Sequence, residues 1–81
     1  MPTVHREDGF QIRIYPNDHL PCHVHVFKSD GEVIIQLGSE TETPSIDEVH
    51  KGISNKDVAK ALTLVQVNQV KLLESWKNIH G

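Results

Sequence analysis

The sequence predicts an α+β fold in which a three- or four-stranded antiparallel meander packs on one long C-terminal helix. Apolar and polar residues alternate in the first half, and turn-forming residues separate the alternating segments. Apolar residues then recur at helical spacing through the last third of the chain. A chain of 81 residues has room for one hydrophobic core, so we assign residues 1–81 to a single domain.

The first strand is predicted at residues 10–15, where Phe-Gln-Ile-Arg-Ile-Tyr alternates as a half-buried strand does. The Pro-Asn-Asp segment at residues 16–18 then predicts a turn, because proline ends the strand ladder and Asn and Asp bond to nearby backbone. Residues 3–6 are suited to a short additional strand at the edge of the sheet.

Two further strands are predicted at residues 22–27 and 32–37. Asp30 and Gly31 lie between them, and an Asp-Gly pair is typical of a two-residue hairpin loop. A loop at these two residues would pair Val26 with Ile35. The apolar residues of both strands then lie on one face, which supports this register because a one-residue slip would expose them all.

The C-terminal third predicts one helix over residues 55–79, with Ser54 as its N-cap and Asp57 as a capping-box variant. Between the strands and the helix, residues 45–49 are suited to another short strand. A helix of this length measures on the order of 37 Å, whereas a six-residue strand measures roughly 20 Å. The helix would therefore overhang the sheet, which predicts a homo- or hetero-oligomer.

The composition limits the class of partner. The net charge of −3 does not give the basic surface of a non-specific nucleic-acid binder, so RNA binding would require a local patch. No apolar run approaches the ~20 residues that span a membrane, and the first residues lack the apolar region of a signal peptide. The single cysteine, Cys22, fits a reducing compartment. We therefore expect a cytoplasmic location and no membrane contact.

Histidine is the compositional anomaly, because the chain has six and three of them, His19, His23 and His25, fall within seven residues. One helix covers one face of a sheet, which leaves the other face uncovered. The predicted strands give this uncovered face the side chains of Gln11, Arg13, Tyr15, His23, His25, Phe27, Glu32, Ile34 and Gln36. His19 lies in the loop that leads into the second predicted strand.

The favoured hypothesis for this face is cleavage of RNA without a metal or any other cofactor. His23 and His25 would exchange protons, because an imidazole titrates near neutral pH, and His19 would assist them. Arg13 and Tyr15 would bind the phosphate. These residue types permit such a ribonuclease without establishing that the protein is an enzyme.

Two alternatives use the same face. In the first, His19, His23 and His25 bind zinc, nickel or copper, since imidazole nitrogen is a good ligand for these ions. Glu32 could complete the ligand set in place of His19. The spacing of the three histidines permits such a site but does not require it. In the second alternative, the protein is a non-catalytic interaction module whose open sheet face docks a partner protein, which the acidic charge balance favours over the nuclease.

Four segments of the chain carry a resemblance: Met-Pro-Thr-Val at residues 1–4, residues 17–26 with the His-x-Pro-(Pro)-His-Val-His-Val motif at 19–26, Gly-Ile-Ser at residues 52–54, and Asn68-Gln69 followed by Leu72, Leu73 and Trp76. They resemble a family of short bacterial proteins catalogued as a domain of unknown function. Cys22 stands where that family usually has a second proline. The resemblance implies a toxin-like component of a toxin–antitoxin pair, with a small cognate partner protein encoded by a neighbouring gene.

Overall fold

A computed structural model describes residues 3–29, 31–50 and 52–80. The described residues form five strands and two helices: β1 (Thr3–Glu7), β2 (Phe10–Arg13), β3 (His23–Lys28), β4 (Gly31–Gln36), β5 (Ser45–His50), α1 (Asn55–Val67) and α2 (Gln69–His80). All strands belong to one antiparallel sheet in the order β1-β2-β3-β4-β5. The α+β class and the antiparallel meander are confirmed. The predicted number of strands, three or four, was too low, because the short strands suggested at residues 3–6 and 45–49 both form and lie at the two edges of the sheet.

The core lies between one face of the sheet and the helices. Residues of β2, β3 and β4 alternate between buried and half-buried, as period-two strands with one covered face must. The buried apolar side chains form one cluster: Phe10, Ile12, Ile14, Val24, Val26, Val33, Ile35, Leu37, Val58, Ala61, Leu64, Val65, Leu72 and Trp76. The opposite face of β3 therefore carries both of its histidines.

The β3–β4 hairpin differs from its predicted register by two positions. Val26 pairs with Val33 rather than with Ile35, and Gly31 lies in β4 rather than in the loop. A Cβ at residue 31 would lie 2.4 Å from the Ile53 amide nitrogen, so this glycine permits close approach of another backbone segment. The loop contains Ser29, at φ 54°, and Asp30, which lies outside the described residues. A shift of two keeps every side chain on its predicted face.

The prediction of one long helix over residues 55–79 was wrong, because Asn68 separates α1 from α2. Asn68 has φ −103° and ψ 15°, and its side-chain Nδ2 donates to the Leu64 carbonyl at 2.8 Å. The next side chain, Gln69, turns toward the segment that joins β4 to β5. Since the described residues span 33 × 28 × 20 Å, the expected overhang no longer argues for an oligomer.

The N-terminal end of α1 agrees with the prediction. Ser54 is the N-cap, and its Oγ accepts a hydrogen bond from the Asp57 amide at 3.1 Å. Neither described helix combines the length and the apolar character that crossing a bilayer requires.

Candidate functional site

The candidate site joins strand β3 to the turn that follows β2. His23 and His25 are alternate residues of one strand, so both rings lie on the same sheet face, with centroids 5.2 Å apart. The turn closes when the Asp18 amide donates to the Tyr15 carbonyl at 3.0 Å. The Tyr15 amide donates in return to Asp18 Oδ2 at 2.9 Å, which fixes the carboxylate and leaves Oδ1 for the histidines.

Asp18 Oδ1 lies close to one nitrogen of each histidine. It is 3.2 Å from His25 Nε2 and 3.6 Å from His23 Nε2. One donor atom from each of the three residues lies within 4.8 Å of the other two. The side chains of Asp18, His23 and His25 are only 12%, 17% and 14% exposed, so the three groups form a compact, partly desolvated cluster.

The other nitrogen of each ring has its own acceptor. His23 Nδ1 lies 2.9 Å from the Pro21 carbonyl oxygen, and His25 Nδ1 lies 2.9 Å from Glu32 Oε2. When each Nδ1–H donates to these acceptors, a neutral ring directs the lone pair of its Nε2 toward Asp18, and a protonated ring donates a proton there. The Pro21 carbonyl and the Glu32 carboxylate therefore favour a ring orientation in which Nε2 of each imidazole faces Asp18.

The carboxylate of Asp18 is kept charged at neutral pH. Burial alone would raise its pKa, but the hydrogen bond from the Tyr15 amide, the hydrogen bond from His25 and the nearby charges of His25 and His23 lower it overall. A charged, oriented carboxylate between two imidazoles is the arrangement that both cation binding and acid–base chemistry use.

The structure brings together only some of the residues that the sequence analysis selected. His19 is exposed and is not a member of the cluster. The Arg13 guanidinium lies 4.4 Å from the centroid of the Phe27 ring and donates to Gln11 Oε1 at 2.9 Å. Tyr15 does reach the cluster, because its ring centroid lies 4.9 Å from that of His25.

Sequence reasoning missed Asp18, and it considered Glu32 as a possible ligand rather than as the hydrogen-bond partner of His25. Asp18 was considered only as a turn former, although its position directly before His19 and five residues before His23 was a usable signal. Glu32 was placed on the correct face, but its contact with His25 depends on the observed hairpin register, in which Phe27 pairs with Glu32.

Helix α2 reaches the same cluster through the only tryptophan of the chain. Trp76 is 6% exposed, and its ring lies 5.5 Å from the His23 ring. On its other side it stacks on His80, with centroids 3.9 Å apart. Trp76 therefore belongs to the hydrophobic core and also contacts the candidate site.

A cavity of about 320 Å³ opens beside the cluster. Its lining residues come from the turn, from β3 and from the last two strands: Asn17, Asp18, His19, Leu20, Pro21, His23, Ile34, Gln36, Asp47 and Glu48. Three carboxyl groups line this cavity, so its electrostatic character favours cationic groups and disfavours a polyanion such as RNA.

Fold and site together define a small α+β domain with a cluster of two histidines and one carboxylate on a five-stranded meander. The family model of a domain of unknown function, DUF4160, matches residues 9–77, and the chain belongs to this family. The resemblance to such a family is thereby confirmed. Comparison with curated proteins and with solved structures found no significant match.

Proposed function

We propose that this protein binds one transition-metal ion through Asp18 Oδ1, His23 Nε2 and His25 Nε2. The separations of 3.2 and 3.6 Å between the carboxylate oxygen and the two nitrogens carry the proposal. Donors bound at about 2.0–2.1 Å around a tetrahedral ion lie roughly 3.3 Å apart. Two of the three separations between donor atoms are therefore close to this value before any ion enters, and all three are within 4.8 Å.

The hydrogen bonds behind the ligands support the same proposal. A metal-binding histidine generally donates its other N–H to a carboxylate or a backbone carbonyl, which fixes the tautomer and the ring orientation. His25 has Glu32 in this position, and His23 has the Pro21 carbonyl. Both imidazoles thus have the outer partner that a ligand needs.

Two nitrogens and one oxygen suit zinc first, with nickel and copper as competitors. The proposed ligand set replaces His19, which the sequence analysis included, with Asp18. Three protein ligands would leave a coordination position for water, and Asp18 and His23 both line the cavity from which water could enter. A zinc ion held there would supply a water ligand that loses its proton near neutral pH, which is chemistry suited to hydrolysis.

Titration of the untagged protein with Ni²⁺, Cu²⁺ and Zn²⁺ tests the proposal, with Trp76 fluorescence as the reporter because its ring contacts that of His23. We expect saturation at one ion per chain in the wild type. His25→Ala should lose binding, whereas His19→Ala and the edge-strand control His50→Ala should retain it. Equal affinity in His25→Ala would contradict the proposal, and loss in His19→Ala would contradict this ligand set.

The second candidate is a toxin-like component, the role that the family resemblance implies, with RNA cleavage as the activity that the residue types suggest. It would act in the cytoplasm with His23 and His25 as its acid–base pair. The 5.2 Å separation of their ring centroids favours it, since neighbouring imidazoles can exchange protons with one substrate. The position of Arg13 over Phe27 and the acidic cavity lining weigh against it.

An RNA cleavage assay separates the two candidates. The ribonuclease hypothesis expects cleavage that persists in a chelator and disappears in the double variant His23→Ala/His25→Ala. The same variant should relieve growth arrest when the protein is expressed in bacteria. Cleavage that requires added Zn²⁺ would instead support the metal site, and activity in the double variant would exclude these histidines from the chemistry.

A further inference from the structure

Strand β5 is an edge of the sheet, and all six of its residues, Ser45–His50, are exposed. It is bonded to β4 on one side. An edge strand presents backbone N–H and C=O groups on its outer side that can pair with another strand. Two of its exposed residues are large and apolar: Ile46 is 42% exposed and Val49 is 53% exposed.

The two faces of β5 differ in chemistry. Ile46 pairs with the buried Ile35, and Val49 pairs with the buried Val33, so the apolar side chains extend the helix-covered side of the sheet. Asp47 and Glu48 line the cavity on the opposite side. Asp47 Oδ2 also accepts a hydrogen bond from Gln36 Nε2 at 3.0 Å, which holds the carboxylate at the cavity wall.

Charge disfavours a second copy of this chain as the occupant of the edge. If two β5 strands paired antiparallel over their full length, Asp47 of each would lie opposite Glu48 of the other. Like charges in directly opposite positions destabilise a strand pair.

We propose that β5 docks an extended segment of another protein in which lysine or arginine alternates with aliphatic residues. Added as a sixth strand, this segment would place its basic side chains beside Asp47 and Glu48, and its aliphatic side chains over Ile46 and Val49. Its backbone would form hydrogen bonds with the N–H and C=O groups on the outer side of β5. The proposal does not depend on the metal site, although the partner would border the cavity that His23 also lines.

Three fluorescent hexapeptides test the proposal on the full chain: one alternates Lys and Val, one alternates Glu and Val, and one has three Lys followed by three Val. Binding is followed by anisotropy, and amide hydrogen exchange of residues 45–50 provides a second measurement. The double charge reversal Asp47→Lys/Glu48→Lys is compared with Glu74→Lys, a reversal at an exposed residue of α2. Circular dichroism verifies that each variant is folded.

We expect saturable binding of the alternating Lys-Val peptide with slower exchange in residues 45–50. The double reversal should weaken this binding by about tenfold or more, and Glu74→Lys should leave it unchanged. Equal binding of the block peptide, equal weakening by Glu74→Lys, or no saturable binding up to millimolar peptide would overturn the proposal. Concentration-dependent protection of residues 45–50 in the free chain would overturn it in favour of self-pairing.

Discussion

At the scale of single residues, Asp18 is the group on which the proposed site depends. One of its oxygens is held by the Tyr15 amide, and the other faces both His23 and His25. Glu32 acts behind His25 in the same way as Pro21 acts behind His23, by accepting from the ring nitrogen that does not face Asp18. The different contacts of Glu32 and Asp18 lead to a separate prediction for each residue.

Glu32→Gln should lower the affinity for the metal ion by about 10- to 100-fold without abolishing binding. Glutamine keeps the shape and an acceptor oxygen but removes the negative charge that makes His25 a better ligand. Calorimetric titration with Zn²⁺ measures the change, and Glu40→Gln, at an exposed position between β4 and β5, is the matched control. An affinity equal to that of the wild type would show that Glu32 does not support the ligand.

Asp18→Asn should lower the free energy of unfolding of the metal-free protein at pH 7 by about 1 kcal/mol. The pKa of Asp18 is lowered in the folded state, so its charged form stabilises the fold above the ordinary carboxyl pKa. That contribution is lost as the pH falls through the lowered pKa. Denaturant unfolding from about pH 7 to about pH 2.5, with chelator present, measures both effects.

The difference in stability between wild type and Asp18→Asn should therefore shrink as the solution becomes more acidic. A difference that stays constant over this range would contradict the role given to the Asp18 charge. A larger difference at low pH would reverse the sign of the linkage and would be equally incompatible with it.

At the scale of secondary structure, the residue that follows the break between α1 and α2, Gln69, connects the helices to the sheet. Gln69 Nε2 lies within hydrogen-bond distance of the carbonyl oxygens of Leu37, Ser39 and Glu42, at 2.7, 2.9 and 2.7 Å, and its two N–H groups are shared among these three acceptors. Gly38 lies in this segment at φ 71°, where a Cβ would lie 2.4 Å from the Glu42 carbonyl oxygen. One glutamine therefore organises the connection between β4 and β5, which in turn carries Asp47 to the cavity.

Gln69→Ala should lower the free energy of unfolding by about 1–3 kcal/mol, because the contacts that it removes from the Leu37 and Ser39 carbonyls are partly buried. Gln66→Ala, at an exposed position of α1, is the matched control and should change stability by less than about 0.5 kcal/mol. Chemical denaturation measures both variants. Equal stability of Gln69→Ala and wild type would show that these hydrogen bonds do not hold the segment.

At the scale of the whole molecule, the sequence predicted which side chains share a face of the sheet better than it predicted the strand register or the ends of the helices. Period-two alternation placed His23, His25 and Glu32 on the same face, and a register error of two positions did not change this. Helical spacing located both helices but not the break between them. The partners of Gln69 lie 27 to 32 residues away in sequence, so no local pattern could reveal them.

The candidate site was also predictable only in part, because some of its members meet through folding of the chain that no local pattern reveals. His23 and His25 are two residues apart on one strand, so their side chains point to the same face of the sheet. The alternation of polar and apolar residues was enough to predict this. Asp18 joins them only because the turn after β2 folds back over β3, with its carboxylate fixed by the Tyr15 amide. The position of Arg13 over Phe27 likewise depends on packing between neighbouring strands, so its residue type alone suggested a phosphate ligand.

The measurement that tests the metal site most directly is zinc K-edge X-ray absorption of the protein loaded with one Zn²⁺ per chain. We predict a first shell of nitrogen and oxygen at about 2.0–2.1 Å with outer-shell scattering from two imidazole rings. In Asp18→Ala and His25→Ala the wild-type signal should be lost. A sulfur ligand at about 2.3 Å, which would implicate Cys22, or an unchanged spectrum in both variants would contradict the account.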